Sequence, residues 1–217
     1  HEGRVRFLDP ASPDPAERAR GAAVLGEVAR HAMELRAKAL LVHPGGVWRE
    51  GEVGGSADLL RESLADLPRH VPILLENMPE TYELRGLGLP PGRSPAAFRM
   101  AQGLLRCDDL VDGYVLDVSH AYLAAARGSV ASVRAMSEGL GARVRHVHLN
   151  GSRAALGSAG EGTPLSDSDY GDDLLREVLS RAAPDAVVVP EIMDGHLDGG
   201  KRFDEALAHA RRLLASP

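Results

Sequence analysis

The chain has 217 residues, of which 44% are hydrophobic and 26% charged, a composition typical of one globular domain with a sizeable core. Its formal charge of −6 gives no sign of the basic surface that binds nucleic acid, so nucleic acid is the less favoured class of partner. No apolar run approaches the ~20 residues that cross a bilayer, and we expect neither a secretory leader nor a membrane partner. The single cysteine, Cys107, excludes an intrachain disulfide, reads as a small core residue and fits a reducing compartment, which predicts a cytoplasmic location.

Short apolar runs alternate with segments of helical periodicity along the whole chain. The predicted strands cover residues 5–8, 39–42, 71–76, 113–116, 143–149 and 186–189. The predicted helices cover residues 16–36, 57–67, 95–105, 123–140, 172–181 and 203–215, and long loops cover 79–93 and 150–171. This alternation predicts an α/β fold of βα units around a parallel sheet, and the continuously apolar strands indicate that both faces of the sheet are covered.

The strand count bears on the kind of α/β fold. No Gly-x-Gly-x-x-Gly motif opens a helix after the first strand, which disfavours a dinucleotide-binding Rossmann fold. A closed parallel barrel needs eight strands, and the sequence predicts about six. Either two strands lie upstream of His1 or the barrel is open. We therefore expect a single domain over residues 1–217 that is short at its N-terminus, and an open sheet edge would favour a homo-oligomer.

Five of the apolar runs end on a side chain that commonly binds metal ions. These side chains are His43, Glu76, Asp117, His148 and Glu191. The C-terminal ends of parallel barrel strands surround one mouth, so residues far apart in sequence would meet there. A mixed set of carboxylates and imidazoles suits Mn²⁺, Co²⁺, Mg²⁺ or Zn²⁺.

Each candidate also has an ordinary structural interpretation. Glu76 could pair with an arginine, and Asp117 could cap a helix. His146 and His148 lie two apart, so both face one side of a strand, and one could bind metal while the other contacts a substrate oxygen. Either could instead be a hydrogen-bonded core histidine.

Other polar residues have weaker claims. His43 precedes Pro44-Gly45-Gly46, where glycines would let backbone approach a ligand. His196, in the loop after the last strand, stays undecided, and His31, His70 and His209 are expected on the surface. Arg85 and Arg93 lie in the 79–93 loop and could meet a substrate, although solvated loop charges are the favoured interpretation.

Together these residues resemble the xylose isomerase-like TIM barrels, which include sugar isomerases and epimerases and the endonuclease IV-type abasic-site nucleases (AP endonuclease family 2). The matching pieces are His43-Pro44-Gly45, Leu75-Glu76-Asn77, Leu116-Asp117-Val118-Ser119-His120-Ala121, His148-Leu149-Asn150, Gly160-Glu161-Gly162 and Glu191. They cover almost the whole chain in the family's order. The resemblance implies a (β/α)8 barrel that lacks its first strands in this chain, with His1 at the place of the family's early histidine, unless His1 is a tag remnant.

The resemblance implies a specific site. In the sugar enzymes one divalent ion is held by four residues that match Glu76, Asp117, His148 and Glu191. The two glutamates then act as acid and base around an enediolate intermediate, and His120 would touch a small-molecule substrate, as would His43 and His146 on the arguments above.

In the nucleases that the chain resembles, three zinc ions are bound. Their further ligands match His1, His43 and His120 of this chain and include an Asp-x-His motif at the place just before Gly160-Glu161-Gly162. In this chain residues 154–159 contain neither Asp nor His. That departure and the negative charge favour a metal-dependent sugar or polyol-ketone isomerase or epimerase. A phosphodiesterase acting on abasic DNA is the alternative, supported by His43 and Asp117-x-x-His120, and a non-catalytic or partner-dependent barrel is a third class.

Overall fold

The structure is a computed structural model that describes residues 8–82 and 91–215. Its main sheet has five parallel strands, which are β1 (Leu40–Val42), β2 (Ile73–Glu76), β5 (Gly113–Asp117), β6 (Val144–Leu149) and β9 (Val187–Pro190). They lie side by side in the order β1-β2-β5-β6-β9. The predicted strand at 5–8, apart from Leu8, lies outside the described residues, as do His1 and Arg85.

Two short antiparallel hairpins leave the C-terminal side of the main sheet. One joins β3 (Thr81–Tyr82) to β4 (Gly92–Arg93), and the other joins β7 (Gly151–Ser152) to β8 (Glu161–Thr163). The 79–93 and 150–171 segments, both predicted as loops, therefore each carry a hairpin. This matters for function because both hairpins lie next to strand ends that carry candidate ligands.

Helices alternate with the strands of the main sheet along the chain. They are α1 (Pro15–Glu34), α2 (Ala57–Ala65), α3 (Ala101–Leu104), α4 (Val118–Tyr122), α5 (Val130–Leu140), α6 (Asp172–Arg181) and α7 (Lys201–Ala215). Within the described residues, none of the helices combines the length and apolar character that crossing a bilayer needs. The α/β class with a parallel sheet, predicted from the alternation of strand and helix, is confirmed.

Two predicted helices are wrong in detail. The helix predicted at 123–140 forms only as α5, and the unpredicted helix α4 precedes it, begun by the Asp117 carboxylate, which accepts a 2.7 Å hydrogen bond from the His120 backbone N–H. Ser129 then caps α5 by accepting from the Ser132 N–H at 3.1 Å. The helix predicted at 95–105 is divided because Met100 is extended, with φ −135° and ψ 140°.

Alternation along each strand separates the core from the candidate site. Leu75, Leu116 and Leu149 belong to the hydrophobic cluster that the helices cover. Their chain neighbours Glu76, Asp117 and His148 must face the opposite side of the sheet. The strand register places Asp117 directly beside His148. The sheet forms a parallel half-barrel whose inner face carries the polar strand ends.

Glycine substitutions in two helices test this packing. A methyl group on Gly103 in α3 would collide with the Ala97 carbonyl oxygen, whereas one on Gly26 in α1 would lie 3.8 Å from Pro68 Cδ. Gly26→Ala should therefore raise the free energy of unfolding by about 0.5–1 kcal/mol, as helix propensity dictates. Gly103→Ala should lower it by about 1–3 kcal/mol through overpacking, despite the same propensity gain. Urea denaturation measures both, and equal stabilisation by the two variants would contradict the Ala97 contact.

Candidate metal centre

Four side chains from four different strand ends converge on one point of the inner face. Single ligand atoms of Glu76, Asp117, His148 and Glu191 all lie within 4.8 Å of one another. Glu76 ends β2, Asp117 ends β5, His148 lies in β6, and Glu191 directly follows β9. The structure thus brings together the four residues that the sequence predicted as metal ligands.

The contacts of His148 show that its ring alone cannot satisfy the three carboxylates around it. Its Nδ1 atom lies 2.8 Å from Glu191 Oε2, 3.2 Å from Glu76 Oε1 and 3.5 Å from Asp117 Oδ2. One ring nitrogen carries at most one hydrogen, so it cannot donate fully to three carboxylates. Three carboxylates and an imidazole nitrogen aimed at one point are, however, a suitable ligand set for a divalent cation. The residues present therefore fit such an ion.

Because the carboxylates are buried, a positive charge at this point would stabilise them. Glu76 is 2% exposed and Asp117 1% exposed, and buried carboxylates are costly unless they are paired or bind metal. Burial raises the pKa of Glu76, but hydrogen bonds from His148 and His43 outweigh it and hold that pKa well below its usual range. The pKa of Asp117 is also lowered, since the charge of His120 and the hydrogen bond from His148 outweigh the effect of burial. Both carboxylates are thus ionised at neutral pH, as metal binding requires.

The pKa of the histidine in the cluster shifts in the opposite direction to the pKa values of the carboxylates. Burial lowers the pKa of His148, but hydrogen bonds to Asp117, Glu191 and Glu76 outweigh it and raise that pKa above its usual range. The direction reflects three negative groups around one ring. The same field that holds a proton on His148 would attract a metal cation, which would compete with that proton for the nitrogen lone pair.

A second group of candidate ligands lies beside the first and shares Glu76 with it. His43, Glu76 and His120 also offer ligand atoms within 4.8 Å of one another. His43 Nε2 lies 3.3 Å from Glu76 Oε2, and its Nδ1 lies 3.4 Å from the Tyr82 hydroxyl oxygen. The His43 side chain is 42% exposed, so it forms the open side of the cluster.

His120 is held on both sides of its ring. Its Nδ1 lies 2.8 Å from the Asn77 carbonyl oxygen, and its Nε2 lies 3.2 Å from Glu161 Oε1. Asp117 caps the helix that carries His120, and the two side chains belong to different groups of candidate ligands. The structure also shows that Asp117 both caps a helix and belongs to the ligand cluster. Its Oδ1 accepts the cap hydrogen bond, and its Oδ2 faces the cluster.

The remaining predicted residues lie further from the cluster. His146 packs edge-on against His148, with ring centroids 5.0 Å apart, and belongs to neither group of candidate ligands. His196 and Arg93 are exposed. Cys107 is buried, and burial raises its pKa to about 11, as suits a core thiol.

One of the surface assignments is wrong. His31 and His70 are exposed as expected, but the His209 side chain is only 17% exposed. Its Nε2 lies 2.8 Å from Asp172 Oδ1, so the residue joins α7 to the start of α6. The apolar periodicity of α7 did not reveal this polar contact, because the partner lies 37 residues away.

Two asparagines that position the ligands were not predicted from the sequence. Asn77 and Asp117 exchange two buried hydrogen bonds. Asn77 Oδ1 accepts from the Asp117 N–H at 2.9 Å, and Asn77 Nδ2 donates to the Asp117 carbonyl oxygen at 3.0 Å. Asn150 Nδ2 donates to Asp117 Oδ2 at 2.9 Å. An amide side chain directly after a buried strand was the available signal for both asparagines.

Comparisons with known proteins agree with this architecture. The sequence model of one family, described as xylose isomerase-like TIM barrel, matches residues 3–213. Among curated proteins, no sequence matches the chain.

Several solved structures share the fold. A D-tagatose 3-epimerase-like protein is 19% identical over 98% of this chain and 78% of its own, with a TM-score of 0.64. Endonuclease IV from Thermus thermophilus is 22% identical over 95% and 72%, with a TM-score of 0.66. D-psicose 3-epimerase from Clostridium cellulolyticum, solved with D-tagatose, is 14% identical over 96% and 75%, with a TM-score of 0.65. At such identities these likenesses show the fold and leave the reaction open.

Proposed function

The chain belongs to the xylose isomerase-like TIM barrel family, and from this membership and its ligand cluster we propose that it is a divalent-metal-dependent isomerase or epimerase of a sugar or related polyol ketone. The convergence of Glu76, Asp117, His148 and Glu191 carries the proposal. Solved epimerases and an endonuclease IV share the fold, and the enzymatic activities in their names support an enzymatic function for this chain. A small molecule in the cytoplasm is the proposed substrate class.

The proposed chemistry divides between the ion and the two glutamates. A divalent ion held by the four ligands would polarise neighbouring carbonyl and hydroxyl oxygens of the substrate, which acidifies the hydrogen on the carbon beside the carbonyl. A carboxylate has two oxygens, so a glutamate ligand retains one that can accept or return a proton. Glu76 at the end of β2 and Glu191 just after β9 are the proposed acid and base, as the resemblance to the sugar isomerases and epimerases implies.

Proton transfer defines the reaction class. One glutamate takes the proton from the carbon beside the carbonyl, the C–H electron pair forms the carbon–carbon double bond of an enediolate, and the carbonyl pair moves to oxygen. Return of a proton to the same carbon on its other face gives an epimer. Return to the former carbonyl carbon, while the hydroxyl proton passes from the neighbouring oxygen to the former carbonyl oxygen, gives an isomer. His43, His120 and His146 are the proposed substrate contacts, and His43 has the most open side chain of the second group.

Exchange of the carbon-bound hydrogen tests the proposal even while the product is unidentified. The protein, loaded with Mn²⁺ or Co²⁺, is incubated in D2O with unphosphorylated ketoses that include D-tagatose. We expect NMR to show deuterium at the carbon beside the carbonyl, with loss of the exchange in EDTA and recovery when the ion is returned. Metal-loaded protein that exchanges no hydrogen in any ketose or inositol ketone would count against the proposal.

Abasic-site DNA cleavage is the second candidate function, and the group formed by His43, Glu76 and His120 favours it. Residues 154–159, without Asp or His, argue against a third ion of the kind that the nuclease resemblance implies. Incubation with an oligonucleotide that contains one abasic site separates the two functions. Strand cleavage that disappears in Glu191→Gln would replace the sugar proposal with the nuclease one.

A further inference from the structure

One aromatic side chain lies beside the open side of the candidate ligands and was not predicted from the sequence. Tyr82 ends β3, and its hydroxyl oxygen lies 3.4 Å from His43 Nδ1. We propose that Tyr82 is a specificity-determining residue whose hydroxyl group forms a hydrogen bond with a substrate hydroxyl group away from the reacting carbon. The inference rests on the proposed function and narrows its substrate class to ketoses that carry a hydroxyl group at that place.

The Tyr82 ring packs against the residue that forms the open side of the cluster. The rings of Tyr82 and His43 meet edge to face, with centroids 5.8 Å apart and an interplanar angle of 86°. Tyr82 is half-buried, whereas the His43 side chain is 42% exposed. The ring is thus partly enclosed by protein while its hydroxyl group reaches the open side. A substrate bound at the ligand cluster would extend toward this side.

The strand that carries Tyr82 is held from both sides. Tyr82 pairs with Gly92 in the β3–β4 hairpin. Trp48 extends this hairpin, because it exchanges backbone hydrogen bonds of 3.0 and 2.7 Å with Arg93. On its other side, β3 contacts the segment Ala154–Gly160 between β7 and β8. A side chain that the fold already holds in place loses little conformational entropy when it binds a substrate oxygen, which favours a role in recognition.

The phenol adds a hydrogen-bond donor that the nearby carboxylates cannot supply. An ionised carboxylate only accepts hydrogen bonds, whereas a hydroxyl group both donates and accepts them. Burial raises the pKa of Tyr82 to about 12, with smaller contributions from three negative charges, those of Glu161, Glu76 and Glu191. The hydroxyl group therefore lies within electrostatic reach of carboxylates on three different segments. Since a phenol keeps its hydrogen at neutral pH, it can donate to a substrate oxygen there.

Tyr82→Phe tests the proposal, since it removes the hydroxyl group and keeps the ring against His43. The full chain, loaded with Co²⁺, is titrated calorimetrically with D-tagatose and the other ketoses of the exchange test, and exchange in D2O gives KM and kcat. We expect the dissociation constant and KM to rise about 3- to 10-fold, the usual loss for one hydrogen bond between neutral groups. The values of kcat and of Co²⁺ affinity should stay within about twofold, because a contact made equally in ground and transition states affects binding alone.

Two further variants separate a substrate contact from a purely structural role. Tyr114→Phe is the matched control, because it removes a hydroxyl group that lies 3.1 Å from Asp108 Oδ1 near the start of β5, and it should bind the ketose like the wild type. In a His43→Ala background, Tyr82→Phe should weaken ketose binding by the same factor as in the wild type. If that factor falls to one, Tyr82 acts only by orienting His43, and the proposal is overturned.

Monodeoxy derivatives of the bound ketose identify the oxygen that Tyr82 contacts. The wild type should bind one of them about 3- to 10-fold more weakly than the parent ketose, and Tyr82→Phe should bind the two equally. Wild-type ketose affinity in Tyr82→Phe, or unchanged discrimination among the derivatives, would overturn the proposal. A wild type that binds a ketose but exchanges no hydrogen would refute the isomerase or epimerase function, and calorimetry would still decide the role of Tyr82. A wild type that binds no ketose would refute both.

Discussion

Replacement of Glu191 by glutamine is expected to lower kcat of the proposed reaction by about 10²–10⁴-fold, the usual contribution of a general acid or base. The amide can neither accept the carbon-bound proton nor carry the negative charge that the metal position needs. Metal affinity should fall as well, since Glu191 supplies the 2.8 Å contact to His148 and one of the four candidate ligands. The side chain is 48% exposed, so the fold should tolerate the change.

Deuterium exchange at saturating metal measures the loss, and metal titration of the same variant separates binding from chemistry. Glu138→Gln is the matched control, because it removes a 59% exposed glutamate that pairs with Arg181 on the helical side of the fold. The control should keep wild-type exchange and metal binding. Exchange within about twofold of wild type in Glu191→Gln would exclude Glu191 as the acid or base, because general acid–base catalysis ordinarily contributes far more.

Removal of the Asn77 side chain is expected to produce the largest loss of stability at the site. Asn77 is fully buried and exchanges two hydrogen bonds with the backbone of Asp117. Asn77→Ala would leave a buried N–H and a buried carbonyl oxygen without partners, each of which costs about 1–3 kcal/mol. We therefore expect the free energy of unfolding to fall by about 2–5 kcal/mol, with a fall in metal affinity because Asp117 is no longer held in place.

Urea denaturation of the metal-free protein measures the change in stability, and Co²⁺ titration measures the affinity. Ser137→Ala is an informative control, because the Ser137 hydroxyl is buried but has no hydrogen-bond partner in residues 8–82 and 91–215. Its removal leaves no group unpaired and should change the stability little. If Asn77→Ala were no more destabilising than Ser137→Ala, the two Asn77 hydrogen bonds would not fix the end of β5.

The fold class, the family and the meeting of four side chains could all be predicted from the order of residues. Continuous apolar runs alternate with helical periodicity, and this local pattern is sufficient to predict parallel βα units. Parallel strands place their C-terminal ends at one side of the sheet, so Glu76, Asp117, His148 and Glu191 had to lie near each other once the strands were found. The catalytic and metal-binding roles of these residues remain predictions, as does the single domain over residues 1–217.

Only the tertiary structure shows which contacts hold these side chains in place and which polar groups they pair with. Three side-chain contacts join residues more than 30 positions apart. They are the contacts of His120 with Glu161, of Asn77 with Asp117 and of His209 with Asp172. Periodicity reports which face of an element is apolar, but it carries no information about which distant polar group will lie opposite. The boundary between α4 and α5 escaped prediction for a related reason. Asp117 begins a helix only because its strand delivers the carboxylate to the turn, and that placement depends on the sheet.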